Sequence, residues 1–160
     1  MTHDELVKRS ARWLFGTQRC ATVLTEASAW ATSEQPDAIG WQPNGTSHLV
    51  ECKVSRGDFR ADKDKPIRRR EQMAPPNEVV GMGNYRWYVT PSGLITPDML
   101  PADWGLAEVR ERIVKVIVKP TRRAADHTAE CALMAAELRR VAEGWRKPTD
   151  NCGLVAPEGA

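Results

Sequence analysis

The stretch PDAIGWQPNGTSHLVECKV, residues 36–54, constrains the fold more than any other part of this chain. Asn-Gly at 44–45 is the strongest short hairpin signal, because both central positions of a tight turn call for positive φ. It sits between two apolar runs, so residues 36–41 and 48–54 are expected as antiparallel neighbours. Side chains in a strand alternate between faces. Val50, Cys52 and Val54 therefore share an apolar face, and Glu51 and Lys53 share the other. Taken locally, that second face is the wet side of a half-exposed strand, where a surface ion pair contributes little. The hairpin also brings Asp37 alongside Glu51 and Lys53.

Flanking signals extend the pattern. Thr2 and Glu5 fit a capping box, and Leu6, Ser10, Trp13 and Leu14 follow helical spacing up to Gly16, which predicts a helix over 3–15. Residues 20–31 contain a first strand centred on Val23 and Leu24. Ser55 and Asp58 form a helix start near Arg56, and Pro66 breaks or kinks that helix. Residues 73–84 form a Pro/Gly-rich loop, the least ordered part by composition. Strands are expected at 85–90, 105–110 and 113–119, the last apolar enough to be central. Met134, Leu138, Val141 and Trp145 make the stripe of a closing helix. The fold class is α/β, with a central mixed sheet flanked by helices, as one domain over 1–148 and a flexible tail over 149–160.

At 160 residues the chain can bury a real core, and its 41% hydrophobic and 28% charged content is ordinary for a globular domain. No apolar run approaches the roughly 20 residues of a membrane span. The charged start MTHDELVKRS predicts a cytoplasmic protein with no membrane partner. Four scattered cysteines without a C-x-x-C pair are expected as small buried thiols rather than zinc ligands or disulfides. His3, His48 and His127 show no ligand spacing, so a histidine metal site is not expected. Net charge is only +2, yet residues 53–70 carry eight basic side chains against three acidic ones, a localised polyanion-binding surface.

Two carboxylates from adjacent strands beside a lysine offer oxygen ligands suited to Mg²⁺, with Mn²⁺ able to substitute. Such an ion keeps several waters and takes one or two protein carboxylates, and the backbone carbonyl of Cys52 could add a neutral ligand. Pro36-Asp37, a gap, then Glu51-Cys52-Lys53 resembles the signature of the PD-(D/E)XK nuclease superfamily. The run ECKVSRGDFRADK is similar to the E-x-K-x-S-x-x-D-F run of its MmcB-like DNA-repair branch. The likeness is best over about residues 20–65. It implies a restriction-endonuclease-like core in αβββαβ order and Mg²⁺-dependent hydrolysis of DNA phosphodiester bonds. It further implies that Asp37 and Glu51 ligate the metal, that Lys53 positions the attacking water, and that Glu26 or Glu5 supplies a further acid. Glu5 is better explained by its cap, and for Glu26 catalytic and surface roles both stand open.

Chemistry supports these roles independently. Metal binding lowers water's pKa from about 15.7 towards about 7, and cation density stabilises the transition state. A lysine beside two carboxylates stays charged, which favours orientation and electrostatics over a neutral base. Ser55 and Asp58 are expected to support the strand end that carries Lys53. Arg56, Arg60, Arg68, Arg69 and Arg70 are expected to contact phosphates without reading sequence. Tryptophans could stack unpaired bases, although Trp13 and Trp145 fall on apolar stripes. The alternative is a nuclease-fold module that grips DNA or a repair partner without cutting. Substrate form, endonuclease against exonuclease action and a homodimer all stay open.

Overall fold

The computed structural model describes residues 1–30, 32–75 and 78–144, together with the backbone of 153–155. The elements run α1 (His3–Gly16), β1 (Thr22–Thr25), β2 (Ala38–Trp41), β3 (Ser47–Cys52), α2 (Arg56–Asp62), α3 (Pro66–Met73), β4 (Tyr85–Pro91), β5 (Trp104–Arg110), β6 (Ile113–Val118), α4 (His127–Ala142) and β7 (Gly153–Val155). One mixed seven-stranded sheet has the order β6-β5-β4-β3-β2-β1-β7. The first three strands meander antiparallel, and the α2–α3 crossover returns the chain so that β4 lies parallel to β3. The α/β architecture and its αβββαβ order are those expected.

Local chemistry explains the boundaries. Thr2 Oγ1 accepts from the Glu5 amide and Glu5 returns the bond to the Thr2 amide, closing the capping box of α1. Gly45 turns the hairpin with φ +83°, a region that favours glycine. Ser55 Oγ accepts from the Asp58 amide at 3.1 Å and starts α2 immediately after β3. Pro66 opens a separate helix at a position where its missing N–H costs nothing.

α1 covers one face of the sheet, packing Leu6, Trp13 and Leu14 with Val23, Val50, Cys52 and Val89. On the other face Leu24, Ile39, Leu49 and Leu106 pack with Phe59 of α2 and Leu133 of α4. Both faces are therefore buried. Met82 and Gly83, at the end of the segment read as least ordered, are anchored: Glu34 accepts from the Met82 amide and Glu130 from the Gly83 amide.

Three expectations change. β6 lies at the edge of the sheet rather than its centre, with Ile113 62% exposed, because only one flank has a partner strand. The inner stripe of α4 is Glu130, Leu133 and Glu137, while Leu138 is exposed. Buried carboxylates replace apolar residues there: Glu130 accepts from Trp41, Ser47 and Gly83, so an apolar periodicity could not find that face. Cys20 and Cys52 are buried as expected, but Cys131 is exposed. Trp145 and Cys152 lie outside the described residues. Of the tail expected from 149, Gly153–Val155 pairs with β1, and the rest lies outside them too. No helix among the described residues is long and apolar enough to cross a membrane.

Candidate metal centre

The antiparallel registers pair Thr25 with Ala38 and Ala38 with Val50. Continuing each by one residue sets Glu26, Asp37 and Glu51 in a row across the ends of β1, β2 and β3. The Glu26 amide donates to the Asp37 carbonyl at 3.0 Å, and Asp37 Oδ2 accepts from the Cys52 amide at 2.6 Å. Like charges directly opposite one another destabilise a sheet, so a row of three acids calls for compensating cations. Its two ends differ in how far the fold supplies them.

Glu51 turns into a charged interior beneath α2 and α3. Its Oε2 meets Lys53 Nζ at 2.8 Å and Lys65 Nζ at 3.1 Å, and its Oε1 meets the Arg68 guanidinium at 3.0 Å. Asp62 pairs with the same three cations, at 3.3, 2.6 and 3.0 Å, and accepts from the Tyr88 hydroxyl at 2.6 Å. Arg68 also reaches Glu34 at 2.7 Å and lies over the Trp104 ring. Arg86 binds Glu34 and Glu71, each at 2.8 Å.

This corrects the wet-side reading. Glu51 and Lys53 are 1% and 4% exposed, because α2 and α3 bring matching charges down onto them. Arg68 is likewise no phosphate contact: it is 2% exposed and held by four carboxylates. Arg56, Arg60, Arg69 and Arg70 are exposed, as a phosphate-facing surface requires. Ser55 and Asp58 form the α2 cap that fixes the end of β3. Burial works against the Lys53 ammonium, but Glu51 and Asp62 outweigh it and hold its pKa above the usual range. Asp62 is lowered: burial opposes its charge, and Arg68 and Lys53 overcome that.

The other end of the row is open. His3, the first residue of α1, sets Nε2 3.5 Å from Asp37 Oδ1 and Nδ1 3.7 Å from Glu26 Oε1. One ligand atom from each of His3, Glu26 and Asp37 lies within 4.8 Å of the others. Burial, then the charge of Glu51, pushes the Asp37 carboxyl up to about 6, against the pull of Lys53 and the Cys52 amide. A carboxylate crowded this way is relieved by a cation, and the donor set fits one. Asp37 Oδ1 is turned toward His3, and an ionised carboxylate has about four acceptor positions, of which Glu51 uses three.

Sequence reasoning missed His3, since nothing local groups residue 3 with residue 37; only the packing of α1 on the sheet does. It also passed over Glu34, Asp62, Lys65 and Arg86. For Asp62 a signal existed, its i,i+3 spacing from the buried Phe59. A cavity of about 490 Å³ lined by Arg68, Glu71, Tyr88, Trp104 and Arg123 opens beside the ion network, and His3, Glu26 and Asp37 lie outside its lining.

Fold and site together define an α/β domain with an acid row at one end of a mixed sheet. No protein-family model matches the chain, and no curated protein matches it. Among solved structures it is similar to SPO1766, a protein of unknown function from Silicibacter pomeroyi, with a TM-score of 0.64 and 19% identity over 92% of this chain and 94% of that one. At that identity the likeness shows the fold.

Proposed function

We propose that this chain is a metal-dependent phosphodiester hydrolase acting on DNA, as its resemblance to the PD-(D/E)XK nucleases implies. The observation that carries the reading is Asp37: a crowded carboxyl pushed up to about 6, standing between two other acids. Asp37 and Glu51, with the Cys52 carbonyl, would hold Mg²⁺ or Mn²⁺. When bound, such an ion acts as a Lewis acid and makes hydroxide available near neutral pH. Lys53 keeps its proton, so it orients water and stabilises negative charge rather than abstracting a proton. Glu51 and Asp62 fix the Lys53 ammonium in place.

Arg56, Arg60, Arg69 and Arg70 supply a salt-sensitive grip on the backbone. Trp30 adds a platform for an unpaired base: it is fully exposed, on the connection that joins Glu26 to Asp37. Free buried thiols at Cys20 and Cys52 fit a cytoplasmic setting. A homodimer would place one such site on each strand of a duplex.

The second reading, a module that grips DNA or a repair partner without cutting, is favoured by the near-complete burial of Lys53 and the three cations already on Glu51. Incubating the purified chain with Mg²⁺ or Mn²⁺ and duplex, single-stranded and branched DNA separates the two. Cleavage that Asp37→Asn and Lys53→Met each depress by about 10²-fold or more supports the hydrolase. Salt-dependent binding with no cleavage in either metal supports the module.

A further inference from the structure

We propose that His3, Glu26 and Asp37 form a binding site for a first-row transition-metal dication, with Mn²⁺ as its probe. The site goes beyond the ligand set proposed above: it shares Asp37 with that set, adds a nitrogen donor, and does not require that DNA be cut.

The placement follows from the fold. Glu26 directly follows β1 and Asp37 directly precedes β2, so the antiparallel ladder sets the two acids opposite each other, joined by the Glu26 amide to the Asp37 carbonyl at 3.0 Å. α1 packs across the same strands and delivers the His3 imidazole against both carboxylates, at 3.5 and 3.7 Å. Those two distances run to opposite ring nitrogens, of which a metal takes one. One ligand atom from each residue lies within 4.8 Å of the others, and side-chain rotation would close them to the roughly 3 to 3.5 Å spacing that metal bonds of about 2.0–2.2 Å impose. The three side chains are 37%, 44% and 17% exposed, open enough for an ion to enter and for waters to complete its shell. The first turn of α1 already carries Asp4 and Glu5, so its N-terminal partial charge has partners of its own.

Donor chemistry sets the class of ion. Imidazole suits borderline ions, whereas Mg²⁺ and Ca²⁺ prefer all-oxygen sites. One nitrogen and two carboxylate oxygens therefore favour Fe²⁺, Co²⁺, Ni²⁺ and Zn²⁺ over Mg²⁺, with Mn²⁺ the paramagnetic probe at the weak end of that series. A cation there also relieves the like-charge pair that the ladder imposes.

The test is Mn²⁺ binding to the tag-free chain, followed by calorimetry and by pulsed electron paramagnetic resonance, which detects nitrogen bonded to the metal. The wild type is expected to bind one Mn²⁺ with a nitrogen signature and to resist Mg²⁺ in tenfold excess. His3→Gln should erase that signature, and His3→Gln and Glu26→Gln should each weaken Mn²⁺ at least tenfold; both replace partly exposed side chains and leave the core intact. Mn²⁺ affinity unchanged in His3→Gln, or a spectrum without nitrogen coupling, overturns the inference. If His3-dependent Mn²⁺ binding is present but no DNA is cut, the inference stands and the hydrolase reading falls. If Mg²⁺-dependent cleavage persists in His3→Gln and Mn²⁺ affinity is unaltered, the reverse holds.

Discussion

The two ends of the acid row differ in how their charges are answered. At the Glu51 end, Lys53, Lys65 and Arg68 close on two carboxylates inside the protein, with Tyr88 adding a hydrogen bond. At the Asp37 end, two opposed acids face a histidine, and one of them has its carboxyl pushed up to about 6. The first arrangement completes itself on folding and holds the α2–α3 crossover to the sheet. The second, on the proposal above, is completed by a cation from solution. Buried ion pairs are weak evidence of net stability, but breaking one leaves a stranded charge, and this asymmetry makes the contrast measurable.

The largest effect belongs to the closed end. Arg68→Met takes a shared buried cation from Glu34, Glu51, Asp62 and Glu71. Each keeps another partner, but in a network left short of one positive charge, and the change should cost about 3–5 kcal/mol in urea unfolding. Asp37→Asn, which keeps an acceptor for the Cys52 amide, should change metal-free stability by less than about 1 kcal/mol, within the range of substitutions that strand no charge. Equal losses in the two variants would erase the distinction between the ends.

Next comes a buried titratable group that has no charged partner to hold a proton. His48 Nδ1 accepts from Trp87 Nε1 at 3.2 Å, and burial lowers its pKa to about 4. The unfolded chain binds a proton at that ring near pH 6.5, and the folded chain does not until about 4. Stability is therefore complete above about 6.5 and falls by about 3 kcal/mol as pH drops through that window. Urea midpoints against pH should show the limb in the wild type and flatten it in His48→Gln.

Smaller again is Trp30→Ala, expected to weaken single-stranded DNA binding by about 1–3 kcal/mol while sparing duplex binding. Smallest are Arg69→Ala and Arg70→Ala, each of which should lower the salt-dependence slope of DNA binding by about one. Filter binding across a salt series reads both.

The sequence made local features legible and long-range ones opaque. The α1 capping box, the Asn-Gly hairpin and the Ser55 cap each depend on residues within a few positions of one another, and each stands where expected. Strand alternation correctly put Glu51 and Lys53 on one face. It could not say that Asp62, Lys65 and Arg68 would cover them, because a charged face looks solvated until its partners are located. The same limit hid Arg68 among exposed neighbours in Arg68-Arg69-Arg70, three identical side chains of which helix geometry buries one. β6 read as central because edge or centre is decided by partner strands rather than by its own composition. His3 was invisible because its partners lie 23 and 34 residues away.

The most direct measurement is calorimetric titration of Mg²⁺ and Mn²⁺ into wild type and Asp37→Asn under identical conditions. Saturable binding of a divalent ion by the wild type, lost in Asp37→Asn while its unfolding transition is retained, is the expected result. Equal binding by both proteins, or none by the wild type at millimolar metal, would contradict it and leave the acid row with a structural role alone.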